Sequence, residues 1–473
     1  KVGSYGAEYF ALIFFVLCGV TILSSYNNLL MLFLGIEIMT IPLYILTGSD
    51  KRNLHSNEAA LKYFLMGAFS TGIMLMGIAL LYGSSGSFGI ESIVNNTTIT
   101  LMKVPILEVI GLMFVFVSML FKVSAAPFHF WTPDVYDGAP SVFTSFMATI
   151  VKSAGFIALI TLFANKSEEL GKLWNILLVI VIIATLLVGN ITAVFQQSVK
   201  RMLAYSSIAQ AGFMLFALYS RNEIARDGIL LYTTAYSLAT IGTFAILIKM
   251  EDHSLDGYNG LAKSQPLLAA TQTIFLFSLA GIPLTAGFFA KYFMLASVIR
   301  TGGNAAIYLV IIGVLFAAVS VYYYFKVIQA MYFKEGNAAT TKITPSFKFA
   351  LLLLAFLIII FVVMNVKSEI RSQIVKHLNE FSLTTNVNFS TIVDDIINSV
   401  TKGNTAFQLI YDETFTLIDW KVLNRYLIKS LPGVNGELIF SYDDGKRYQW
   451  SKEETFLIDM RLIRECKLNE ILR

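Results

Sequence analysis

Six ionisable side chains of this 473-residue chain fall in or beside apolar runs long enough to cross a bilayer. Glu37 interrupts NNLLMLFLGIEIMTIPLYIL, Lys62 opens EAALKYFLMGAFSTG, and Lys152 sits in SVFTSFMATIVKSAGFIALITLF. Lys122 and His129 share MFVFVSMLFKVSAAPFHFWTPDVYDGAP, and Lys291 lies in LFSLAGIPLTAGFFAKYFML. A charge at mid-bilayer costs about 2.5–3.5 kcal/mol on insertion scales, so such groups line a protein interior or a water path. Burial penalises the charged form of carboxylate and ammonium alike, and imidazole titrates near neutrality. The chemistry open to this set is proton uptake and release. Each residue also has a plainer reading. Lys62 can snorkel to the interface, Glu37 can tie two helices, and His129 can be an interfacial neighbour of Trp131. A neutral Gln would tie helices at lower cost than Glu37, however, and Lys152 stands twelve residues into its run, beyond snorkelling reach. Three lysines near mid-membrane with a glutamate read as a relay. The spacing shows no metal-ligand cluster, and the pair Lys200 and Arg201 at a span entrance reads as topogenic.

The elements that must position these groups are membrane helices. Hydrophobic residues make up 56% of the chain and charged ones 14%, against roughly 25% charged in soluble domains; mean hydropathy is +0.68. This predicts an all-α polytopic membrane protein. Eleven spans are expected, at about 7–24, 28–47, 58–82, 106–127, 141–164, 173–195, 201–219, 228–249, 267–297, 305–332 and 347–366. The fourth and ninth are broken, by Pro127 and by Gly281, Pro283 and Gly287; freed backbone groups are tolerated in a membrane only beside protein, polar side chains or water. Two broken helices five spans apart predict inverted five-helix repeats, because an odd span count flips the second copy. Loop cations number nine on one side (Lys51, Arg52, Lys200, Arg201, Lys249, Lys263, Lys334, Lys342, Lys348) and six on the other (Lys103, Lys166, Lys172, Arg221, Arg226, Arg300). The first side is therefore expected in the cytoplasm. A net charge of +4 is too small to suggest nucleic acid, and Cys18 and Cys466 suggest neither a disulfide framework nor a metal site. The division expected is a membrane domain over 1–367 and a polar extension over 368–473. Within the extension, GELIFSYDDGKRYQW reads as a hairpin and KEETFLIDMRLIREC as a helix, making a small α+β or partly ordered tail.

LFKVSAAPFHFWTPDVYDGAPSVFTSFMATIVKSAGF, QQSVKRMLAYSSIAQAGFM and AGIPLTAGFFAKYF resemble the antiporter-like proton-pumping subunits of respiratory complex I. PFHFWTPDVYDGAP and EAALKYFLMGAFSTG are similar to the N-type branch rather than the L and M types. The likeness covers about Tyr9 to Val366 and implies fourteen core helices, with helices four to eight and nine to thirteen as inverted repeats. The eleven spans would be helices four to fourteen, the first three being absent, as a chain that opens without Met suggests. The resemblance implies a helix-five role for Glu37, paired with the helix-seven lysine Lys122, and a central helix-eight role for Lys152. Lys291 takes the place of the lysine of broken helix twelve, Lys62 that of a lesser helix-six lysine, and His129 that of the histidine after the break. It also implies a translocase subunit in a bacterial inner membrane, among other membrane subunits of the complex. NAD, FMN, iron–sulfur clusters and quinone would belong elsewhere in that complex, since this chain offers no Rossmann fingerprint and no cysteine ligand set. Two departures stand out: Gln210 occupies a position where relatives often carry histidine, and the tail has no counterpart. The other readings are a subunit of a cation/proton antiporter or membrane-bound hydrogenase, and an assembly scaffold that transports nothing.

Overall fold

The computed structural model describes residues 6–90, 106–163 and 171–361, together with the backbone of six strands between 406 and 457. Contacts divide the chain into two units, 1–362 and 363–473. The first is helical: α1 (Gly6–Ser25), α2 (Leu29–Thr47), α3 (Leu54–Ser85), α4 (Ile106–Lys122) and α5 (Trp131–Gly138) are followed by α6 (Ser141–Phe163). Then come α7 (Gly171–Val194), α8 (Val199–Ser220), α9 (Glu223–Lys249), α10 (Pro266–Ala280), α11 (Ala286–Thr301) and α12 (Asn304–Phe333), and α13 (Pro345–Phe361). Every expected span meets one of these helices. Eight are long and apolar enough to cross a bilayer unaided. The rest are α4, the short α5, α13 and the broken pair α10–α11. The first unit is thus an all-α membrane fold among the described residues.

Local chemistry explains where helices start. Asn28, Asn53, Ser198 and Asn222 cap α2, α3, α8 and α9 by accepting from backbone N–H groups of the first turn, which supplies orphan donors with partners. Within each set of five spans the same neighbours meet: α1 with α2 and α3 with α4 and α5 in the first, α7 with α8 and α9 with α10 and α11 in the second. Small residues set the closest approaches. Gly19 of α1 lies against Met39 and Gly35 of α2, and Gly189 of α7 against Ala209 of α8, as expected where helices associate by close backbone packing rather than by hydrophobic drive.

Both breaks keep their backbone satisfied. At the first, the Ala126 N–H donates to Thr185 Oγ1 at 2.9 Å, and the Trp131 indole donates to the Phe121 carbonyl at 3.0 Å. At the second, Gly281 closes α10 in the left-handed region (φ 82°), and the Gly287 N–H donates to Ser278 Oγ at 3.2 Å. Glycine is required at both positions. A Cβ on Gly281 would press on the Lys291 side chain at 2.8 Å, and one on Gly287 would overlap the Ser278 carbonyl.

The second unit is described only by strands. β1 (Ala406–Tyr411), β2 (Leu417–Leu423) and β6 (Thr455–Leu457) form one antiparallel sheet in the order β2-β1-β6, and β3 (Lys429–Pro432), β4 (Leu438–Ser441) and β5 (Arg447–Trp450) form another. The expected hairpin is the β4–β5 pair, with Ser441 opposite Arg447; its DDG turn lies outside the described residues. The helix expected in KEETFLIDMRLIREC is corrected at Thr455–Leu457, which pairs with β1 instead, so cross-strand pairing overrides the helical spacing there. The remainder of that stretch, Cys466, Lys103 and Lys166 lie outside the described residues.

Candidate functional site

One helix meets two of the buried lysines. α8 is buried along almost its whole length, and Lys152, on α6, donates from Nζ to the Ser207 carbonyl of α8 at 2.7 Å and to Ser207 Oγ. The Tyr236 hydroxyl of α9 donates to the same Oγ at 3.1 Å. Lys152 is only 1% exposed and follows a π-helical stretch, Met147–Val151. Such bulges often occur at functional sites. Further along α8, Lys291 of α11 stands 4.9 Å from the Phe213 ring. Its Nζ donates to the Ala280 carbonyl at 2.8 Å, the last carbonyl of α10, and to Ser320 Oγ at 3.4 Å. Ser207 and Phe213 are six residues apart, about 9 Å along the helix.

Between them lies a knot of hydroxyls around Gln210. Its Nε2 donates to the Leu279 carbonyl at 2.9 Å and to the Tyr324 oxygen at 3.2 Å. Tyr232 donates to its Oε1, and Tyr324 pairs with Ser206. Tyr232 and Tyr236 are one turn apart on α9, and their partners Gln210 and Ser207 lie three residues apart on α8, so the two helices face each other through two polar rungs.

The first half of the molecule holds a second group. Lys122 is 8% exposed, its Nζ has no hydrogen-bond partner, and it lies 5.8 Å from the Phe121 ring. Glu37 Oε1 is also buried without a hydrogen bond. The two form no ion pair within 4.0 Å, yet Glu37 is near enough for its charge to act on Lys122. Unpartnered Ser124 Oγ and His129 Nδ1 lie in the same break. Aromatic rings connect the helices here: Tyr44 meets Tyr63 edge-on at 4.8 Å, Tyr63 stacks on Trp131 at 4.8 Å, and Trp131 stacks on Phe121 at 5.3 Å.

Lys62 is placed apart from both groups. It is 37% exposed and pairs with Glu58 at 2.7 Å and Asp134 at 2.9 Å. These residues line a basin of about 550 Å³ with Asp137, Lys200, Arg201 and His253. Arg201 completes the cluster, 3.0 Å from Asp134 and 3.5 Å from Asp137. Burial alone would raise the Asp134 carboxyl, but hydrogen bonds from Lys62 and Arg201 outweigh it and hold the group below its usual range. Lys200 is more than a topogenic charge: its Nζ is turned inward, donating to the Asp137 and Ala139 carbonyls at 2.7 and 2.6 Å.

Sequence reasoning passed over Asp134, Asp137, Ser206, Ser207, Tyr232, Tyr236, Tyr324 and the buried Glu108 of α4. A signal existed for some of them. PDVYDGAP carries two acids beside a span, and AYSSIAQAG gives α8 a lower hydropathy, 1.4, than any other long span. Among the described residues, no group of three His, Cys, Asp or Glu is placed to hold a metal ion.

Comparison with known proteins matches residues 26–319 to the family described as NADH:quinone oxidoreductase/Mrp antiporter, transmembrane. NADH-quinone oxidoreductase subunit N of Cytophaga hutchinsonii is 42% identical over 371 residues, covering 78% of this chain and 79% of the relative. The same subunit of Trichlorobacter lovleyi is 42% identical over 335 residues, covering 70% and 68%. Among solved structures, a chain of respiratory complex I from Thermus thermophilus, with bound aureothin, superposes with a TM-score of 0.67 at 33% identity, covering 77% of this chain and 80% of that one. A chain of an archaeal membrane-bound sulfane sulfur reductase gives 0.69 at 25% identity, over 77% and 74%.

Proposed function

The chain belongs to the NADH:quinone oxidoreductase/Mrp antiporter transmembrane family, and on that premise we propose that it is an antiporter-like membrane subunit of a proton-translocating NADH:quinone oxidoreductase, most similar in kind to subunit N. It sits among other membrane subunits in a bacterial inner membrane, and its part in the enzyme is to carry protons. Redox chemistry belongs to other chains that hold NAD, FMN, iron–sulfur clusters and quinone.

The carriers are Glu37, Lys122, Lys152 and Lys291, with His129 as an auxiliary at the first break and Lys62 at the charged basin. Quinone-linked changes elsewhere shift the distance between Glu37 and Lys122. Losing a nearby carboxylate disfavours the charged ammonium, so separation sends the Lys122 proton through water toward Lys152, and thence toward Lys291. The observation that carries this reading is that Lys152 and Lys291 both lean on α8, with hydroxyls between them.

Lys152→Ala in the assembled complex tests it. NADH oxidation should continue with translocation largely lost, and undiminished translocation would sink the relay. The archaeal reductase shares the fold, so a related complex is the second reading. The subunits that co-purify with the chain separate the two.

A further inference from the structure

Gln210 stands on α8 midway between Ser207, which meets Lys152, and Phe213, which meets Lys291, and one partner settles its orientation. The Leu279 carbonyl, 2.9 Å away, can only accept, so it must face Nε2. Oε1 is left to accept, and the Tyr232 hydroxyl donates to it. The other Nε2 hydrogen points to the Tyr324 oxygen.

A proton travels along a hydrogen-bonded chain by arriving on one side of a group and leaving from the other. Hydroxyls and imidazoles can do this. A carboxamide cannot readily do so, because its oxygen only accepts and its nitrogen keeps its hydrogens. Each transfer also reverses the polarity of the bonds along the line. Gln210 could reverse only by turning over, which would set Oε1 against the Leu279 carbonyl, acceptor to acceptor. A buried polar group left unpaired is costly, so the amide holds its direction.

We propose that Gln210 is a positioning residue that fixes bond polarity between Lys152 and Lys291 and stops protons from passing directly through the tyrosine–glutamine knot. Passage then requires the Leu279 carbonyl to leave Nε2. That carbonyl lies in the last turn of α10, next to the Ala280 carbonyl that holds Lys291. One movement at the break would therefore release the amide and the lysine together. The block keeps the line closed at rest, and the break is what opens it. This inference rests on the proton-relay reading above.

The test uses the whole complex in sealed vesicles with a preset pH gradient and no NADH. Gln210→His and Gln210→Glu each place a group that can take a proton on one side and release it on the other. Both should speed collapse of the gradient roughly tenfold or more, and a Lys152→Ala change added to either should remove the increase. Gln210→Met, which breaks the same bonds but carries no proton, should stay at the parent rate. Assembled His and Glu variants that leak like the parent would overturn the proposal. So would a Met variant that leaks as fast as they do, since that would mean loosened packing. If Lys152→Ala alone leaves translocation intact, the relay reading fails. If it stops translocation while the His and Glu variants stay tight, only the block fails.

Discussion

At the scale of single residues, the second break depends on atoms that are missing. Gly281 has φ 82° and leaves room for the Lys291 side chain beside it. An L-residue in the left-handed region costs about 1–2 kcal/mol, and its Cβ would crowd the lysine. Gly281→Ala should therefore destabilise the subunit by that order, read as a lower thermal midpoint of the purified complex. It should also reduce proton translocation per NADH, because Lys291 is pushed from the Ala280 carbonyl. An unchanged translocation ratio would show that the lysine tolerates displacement. Gly287 is less forgiving, since a Cβ there meets backbone rather than a flexible side chain. The unpartnered Lys122, Ser124 and His129 atoms make the opposite case. They are buried polar atoms without a hydrogen bond, which is costly to leave so.

At the scale of elements, α8 is the spine on which α6 and α11 set their lysines, and its first turn joins α5 in lining the basin. Tyr136 of α5 is buried, while Asp134 and Asp137 of the same short helix line the basin. Asp134 ties three elements together, through Lys62 of α3 and Arg201 of α8. Partly exposed pairs of this kind are worth about 0.2–1 kcal/mol each, so Asp134→Asn should destabilise by roughly 1 kcal/mol near neutrality. The pH dependence follows from the sign of the shift. The folded carboxyl is held below its ordinary value of 3.8, so its stabilisation is present above that value and is lost as pH falls through the lower folded one. The difference in thermal midpoint between parent and Asp134→Asn should shrink in acid. A difference that stays constant with pH would show that the variant acts through packing alone.

At the scale of the whole molecule, the helical unit has its own internal contacts over residues 1–362. A chain ended after Val362 should insert and co-purify with the same membrane subunits as the full chain, and failure to do so would assign the tail a part in assembly. Much of the helical unit was legible in advance, because a bilayer is a demanding and uniform solvent. Apolar runs of the right length reveal helices, proline and glycine reveal breaks, and the cost of a buried charge makes each lysine and Glu37 conspicuous. The hydroxyl knot was not legible in the same way. Ser, Thr, Tyr and Gln cost little in a membrane helix, and with lipid around it a helix is apolar on every side, so no periodicity says which face meets protein. The tail was half legible: its hairpin followed from turn chemistry, while β6 needed a partner strand distant in sequence. The sequence by itself determined where the apolar helices fall, where two of them break, and that Lys122, Lys152 and Lys291 are buried, since each is a local property of composition against lipid. Only the tertiary structure decided that Lys62 faces the basin and Lys152 the interior, that α8 joins Lys152 to Lys291, and that Gln210 stands between them. Those facts depend on which helices touch, and packing between distant segments sets that.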